Sequence, residues 1–326
     1  MIYNGLLDIA DSYDVFLFDA YGVFWEGNGF YPNSREVMAE LVQQGKTVVI
    51  ISNTTILHDD IVKSYVKRGL LPNRDYNYIY TSGNLLRKNL RAGNIRFNSC
   101  PNPHKYYVIG LPHKKAFADT NYKQVNTPEE ADFVYCGVPF MFAPDVEKYP
   151  QYANEYWPIC LDENGEVERW DTLTPAPFAE IVQKIAALKL PALNANPDFT
   201  AKEGHELVKD SAAVFVVRNG TIAQMLRTAG NEVLEYGKPH KNIYDFVFAD
   251  LVAQNVTIDK SRTCMIGDTV RTDIKGAVNA GITPVLCVNT GVTAEEINNG
   301  NSVENLCKAQ DIALQQVIQI KSVGGK

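Results

Sequence analysis

The sequence predicts an α/β protein built on a parallel sheet, with a smaller α/β domain inserted into it. Three observations lead there. Through residues 1–80, short β-rich apolar runs alternate with amphipathic helical patterns, the signature of strands joined by crossover helices. Between about 85 and 190 the rhythm changes and Pro, Tyr and Asn become more frequent; after Pro191 it resumes. The chain has 326 residues, 45% hydrophobic and 21% charged, enough for one large domain or two ordinary ones.

Val15–Phe18 is too short for a helix and too uniformly apolar for an exposed strand, so it reads as a central strand buried on both faces. Ser34 is expected to cap a helix that carries Val37, Met38, Leu41 and Val42 on one side and ends at Gly45. Thr47–Ile51 is rich in β-branched residues and forms the next strand. A second helix bears Ile61, Val62, Tyr65 and Val66 and stops at Gly69. Tyr78–Tyr80 is a third strand, entering a helix near Ser82. In the insertion, Tyr106–Ile109 and Phe133–Cys136 read as strands, a polar stretch runs from Asp145 to Asp171, and a helix covers Pro177–Leu188. The resumed section holds Ala212–Val217, a helix with Ile243, Phe246, Val247 and Leu251 on one face, and the strand Thr263–Ile266. A short helix then ends at Gly281 before the strand Thr283–Val288. The expected division is a discontinuous core of residues 1–84 and 191–326 and an inserted domain of residues 85–190.

Composition removes several function classes. Lys and Arg total 31 against 38 Asp and Glu, a net charge of -7, which argues against a nucleic-acid partner. The longest unbroken apolar run, Ala212 to Val217, is far too short to cross a bilayer. Met1–Gly5 shows no basic segment followed by an apolar one, so a membrane or secretory role is not expected. The six cysteines are scattered without zinc-site spacing and read as free thiols of a reducing, cytoplasmic compartment.

In a parallel sheet, ligands gather where strands end at their carboxyl edges, beside helix starts. Four such ends carry polar chemistry. Asp19 follows the first strand directly, with Tyr21 and a turn-forming Gly22 after it. Ser52 and Asn53 end the second strand with a hydroxyl and turn N–H groups. Lys238 sits between Gly237 and Pro239 just ahead of a helix. Asp268 and Asp273 flank a helix start after Gly267. Taken singly, each is an ordinary cap or turn. Together they supply carboxylates for a divalent cation, one ammonium and one hydroxyl at the same sheet edge, the inventory for holding a phosphoryl group as its charge moves.

These four segments, in this order, resemble the four motifs of the haloacid dehalogenase (HAD) superfamily. The insertion between the second and third resembles the cap of the NagD-like subgroup, class IIA, and Asn194–Asp198 is similar to that subgroup's pattern. The resemblance implies a Rossmann-like core with a C2-type cap that sets substrate choice. It further implies an Mg²⁺-dependent hydrolase of a small phosphorylated metabolite. Asp19 matches the nucleophile that forms an aspartyl-phosphate and also binds the metal, to which residue 21 lends its backbone carbonyl. Ser52, with Asn53 beside it, matches the hydroxyl that binds phosphoryl oxygens. Lys238 matches the lysine that spans nucleophile and phosphate, Asp268 a metal ligand, and Asp273 a carboxylate supporting the metal shell. Caps of this subgroup often take part in homodimers. One position departs from the pattern: Tyr21 stands where such phosphatases usually carry an acid/base Asp. That departure opens two alternatives, a Mg²⁺- and phosphate-binding relative with little turnover, and a 2-haloacid dehalogenase.

Overall fold

The computed structural model describes residues 1–325 apart from 28, 163 and 204–213. The chain divides into two compact units, one of Met1–Asn84 with Gly237–Lys326 and one of Leu85–Tyr236.

In the first unit the described residues form a seven-stranded sheet. Its order is Ile2–Tyr3, Ile318–Ile320, Thr283–Cys287, Thr263–Gly267, Val15–Phe18, Thr47–Ser52 and Tyr78–Thr81. All neighbouring pairs are parallel. The central strands are buried along their whole length, because helices cover both faces of a parallel sheet. Phe16, Phe18, Val48 and Ile50 face one side, where the helices Ser34–Gln43 and His58–Lys67 contribute Met38, Leu41, Ile61 and Tyr65. These buried positions recur at helical spacing, and burying each large apolar side chain contributes about 1.5–3 kcal/mol. Ser34 is the first helical residue and not the cap: its hydroxyl donates to the carbonyls of Phe24 (2.9 Å) and Tyr31 (2.8 Å), while Asn33 takes the left-handed position before it.

The second unit begins at the expected point but ends later. Its five-stranded parallel sheet runs Val233–Glu235, Ala192–Asn194, Phe133–Cys136, Lys105–Ile109 and Lys123–Gln124. The boundary at residue 190 is therefore corrected to Tyr236. Ala192–Asn194 pairs with Phe133–Cys136 on one side and Val233–Glu235 on the other, so the chain leaves this unit only after its last strand. The apolar run Ala212–Val217, expected in the resumed core, falls within this unit's span instead. Val214–Val217 pairs antiparallel with Thr200–Glu203, and residues 212 and 213, like His205, lie outside the described residues. The polar stretch after Asp145 contains two strands, Tyr156–Leu161 and Val167–Thr172, that extend Phe140–Phe142 into an antiparallel sheet. Among the described residues no helix is long and apolar enough to cross a membrane.

Candidate active site

Register brings three of the polar strand ends together in the first unit. Phe18 lies opposite Ile50 on one neighbour and Ile266 on the other. Asp19, Ser52 and Gly267–Asp268 therefore all emerge at the carboxyl edge of adjacent strands. The Asp19 N–H donates to the Ile266 carbonyl at 2.9 Å, which carries the ladder one residue beyond the strand and fixes the backbone of the carboxylate. Lys238 arrives from the loop ahead of the helix Lys241–Ala253. Asn53 clamps it: Lys238 N–H donates to Asn53 Oδ1 (2.7 Å), and Asn53 Nδ2 donates back to the Lys238 carbonyl (3.0 Å).

The ammonium sits between two carboxylates. Lys238 Nζ is 2.6 Å from Asp19 Oδ1 and 2.7 Å from Asp273 Oδ1, and Lys238 is 1% exposed. Asp273 rides on a π-helical turn, Val270–Ile274, and its other oxygen accepts from the N–H groups of Asp268 (3.2 Å) and Thr269 (3.1 Å). Asp268 is held by Val292 N–H, which donates to Oδ2 at 2.6 Å. Burial, reinforced by the charges of Asp273 and Asp19, pushes the Asp268 carboxyl well above the usual carboxylate range.

Oxygen atoms of Asp19, Asp268 and Asp273 lie within 4.8 Å of one another. An all-oxygen set of acidic donors suits a hard cation such as Mg²⁺. A cation there would also offset the burial, and the neighbouring negative charges, that hold the Asp268 carboxyl up. The residues thus fit the metal that the sequence motifs imply.

Backbone crowding shows how tightly this corner is built. A Cβ on Gly22 would lie 2.2 Å from Asp268 Oδ2, and one on Gly291 would lie 1.9 Å from it; both glycines also have positive φ. Thr290 Oγ1 donates to the Gly22 carbonyl at 2.6 Å, tying this loop to the turn after Asp19. Sequence reasoning missed the Thr290–Val292 segment. Its signal was the same as at the other ends, a strand followed by Thr and Gly ahead of a helix.

Tyr21 is 39% exposed beside this group, bridging in backbone register to Trp25. Trp25 itself is buried against Phe30. The structure therefore brings Asp19, Lys238, Asp268 and Asp273 into one cluster, puts Asn53 against Lys238, and sets Ser52 at the end of the neighbouring strand and Tyr21 in the turn two residues past Asp19. His58 lies at the exposed start of its helix. His113 is held down at about 4 by burial, with Arg87 and Lys115 adding to the effect.

Buried carboxylates and a bridging ammonium thus form one polar cluster at the parallel-sheet edge where α/β folds bind their ligands. Comparison with known proteins makes it specific. Residues 16–121 match the family model described as haloacid dehalogenase-like hydrolase, and residues 235–309 match the HAD-hydrolase-like model. A 4-nitrophenylphosphatase of Schizosaccharomyces pombe is 23% identical, over 89% of this chain and 88% of that protein. Phosphoglycolate phosphatase 2 of Arabidopsis thaliana is 26% identical over 91% and 90%. The crystal structure of a haloacid dehalogenase-like hydrolase from Brucella suis 1330 superposes with a TM-score of 0.68 at 23% identity, covering 97% of both chains. The two models together span more than half of the chain, which belongs to the haloacid dehalogenase-like hydrolases.

Proposed function

We propose that this chain is an Mg²⁺-dependent phosphatase of small phosphate monoesters that works through an aspartyl-phosphate on Asp19. The single observation that carries the proposal is the Lys238 bridge, 2.6 Å from Asp19 and 2.7 Å from Asp273. A lysine so placed holds the Asp19 carboxylate ready to attack and balances the charge that an incoming phosphoryl group adds. The two relatives named above as a 4-nitrophenylphosphatase and a phosphoglycolate phosphatase support the same substrate class.

In this reading Asp19 attacks phosphorus and the ester oxygen leaves. Water then releases phosphate from the Asp19 carboxyl. Ser52 and Asn53 bind phosphoryl oxygens, and Asn53 also keeps the Lys238 backbone in place. Asp19 and Asp268, with the carbonyl of Tyr21, would hold Mg²⁺, while Asp273 orients the set through Lys238 and the N–H groups of Asp268 and Thr269. Bound there, the cation would neutralise charge on the transferring phosphoryl group. The free state of all six cysteines supports a reducing cytoplasmic setting. A homodimer is proposed from the resemblance alone, with light scattering as its test.

The decisive experiment assays a panel of phosphate monoesters with Mg²⁺ for wild type and Asp19→Asn. The expected result is hydrolysis by wild type that Asp19→Asn loses and a chelator abolishes. Wild type matching Asp19→Asn on every ester would overturn the proposal. Chelator-resistant halide release from 2-haloacids would favour the dehalogenase alternative instead.

A further inference from the structure

Around Asp19 the structure gathers Lys238, Asp268, Asp273 and the phenols of Tyr65 and Tyr244. All five are buried. Lys238 is already shared by two carboxylates, and Asp273 is committed to Lys238 and two N–H groups. An ester reaches Asp19 from solvent, and in an in-line displacement its leaving oxygen lies opposite the attacking carboxylate, on the solvent side. Of the side chains just named together with Tyr21, only Tyr21 is exposed. Its phenol can donate a hydrogen bond to a departing oxygen but is a weak proton donor beside a carboxylic acid.

We infer that this site selects esters whose leaving group departs as a stable anion: aryl, enol and acyl phosphates, in preference to phosphates of simple alcohols. The inference rests on the phosphatase reading and narrows it. In the first step the Asp19 oxygen forms a bond to phosphorus as the bond to the leaving oxygen breaks. The leaving group departs with the electron pair, hydrogen-bonded by Tyr21, and takes its proton afterwards from solvent. In the second step water attacks the same phosphorus, its protons end on phosphate as dihydrogen phosphate, and the Asp19 carboxylate is restored. Neither step needs a proton from the protein, so the rate of the first is set by the acidity of the leaving group.

The test is a leaving-group series with Mg²⁺: acetyl phosphate, 4-nitrophenyl phosphate, phenyl phosphate and ethyl phosphate. Acid catalysis contributes about 10²–10⁴-fold. The expected kcat/KM for ethyl phosphate therefore falls at least that far below the value for 4-nitrophenyl phosphate. Tyr21→Asp is expected to narrow the gap by raising the ethyl ester. A bridging-¹⁸O isotope effect on wild type provides a readout that no variant's folding affects. It is large if the oxygen leaves unprotonated and small if a proton arrives during bond breaking. Equal rates across the series, or a small isotope effect, overturn the inference and leave the phosphatase reading intact. Failure of wild type to exceed Asp19→Asn even on acetyl phosphate removes that reading, and this inference with it.

Discussion

Replacing Lys238 by Met tests the charge balance of the whole cluster. The substitution keeps an unbranched stem of similar length and deletes the ammonium that lies 2.6 Å from Asp19 and 2.7 Å from Asp273. Asp273 is itself 1% exposed, so it would be left as a buried anion without its cation. Removing one partner of a buried pair costs about 3–5 kcal/mol. Asp273 keeps its two backbone donors from Asp268 and Thr269, which places the expected loss near the lower limit, about 3 kcal/mol. That corresponds to a fall of about a hundredfold in the ratio of folded to unfolded core. Urea unfolding at neutral pH in the presence of a chelator measures it, on wild type, Lys238→Met, Asp273→Asn and the double variant. The double variant no longer carries the orphaned anion, so it should be more stable than Lys238→Met alone. The reasoning is refuted if Lys238→Met unfolds within about 0.5 kcal/mol of wild type, or if the two single losses simply add.

Three further variants test local geometry and burial. Gly291→Ala would set a methyl group 1.9 Å from Asp268 Oδ2 at a positive φ, so Mg²⁺ affinity measured by calorimetry should fall at least about tenfold, the equivalent of ~1.4 kcal/mol. Gly45→Ala, also at positive φ but facing open space, should cost about 1 kcal/mol of stability and leave that affinity unchanged. His113 stays neutral in the folded protein down to about 4, whereas the unfolded chain takes up its proton near 6.5. The unfolded state therefore binds more protons between those values, and stability falls as pH drops through that window, by at most about 1.4 kcal/mol per unit. His113→Gln should flatten the slope of unfolding free energy against pH, and an unchanged slope would exclude this histidine as its source.

The strand ends were legible because each joins an apolar run to a turn residue, a pattern local to a few positions. Asp19 after Val15–Phe18 and Asp268 after Thr263–Gly267 needed only that reading plus the rule that parallel strands share one functional edge. What stayed hidden depends on distant pairing. Ala192–Asn194 carries no mark of which sheet it joins, and only its register with Phe133–Cys136 moves the boundary from 190 to 236. The support that Val292 and Thr290 give to Asp268 and Gly22 was equally invisible, since it arises between loops more than twenty residues apart. Ser34 shows a smaller limit of local signals. A serine ahead of an apolar-periodic run reads as a cap, but here two nearby carbonyls compete successfully for its hydroxyl.

The turn at Ser52–Thr54 has a consequence beyond catalysis. Ser82 Oγ donates to the carbonyls of Asn53 (2.7 Å) and Thr54 (3.0 Å), just before the chain departs at Asn84. The amide of Asn53 grips Lys238, just after the chain comes back at Gly237. One short bend thus fastens both the outgoing and the homecoming strand of a long excursion, and it does so with core residues alone. Where the excursion leaves and rejoins the first unit is thereby set by that unit's own residues. For the protein engineer, a brief connector joining residue 84 to residue 237 is the natural first truncation to build.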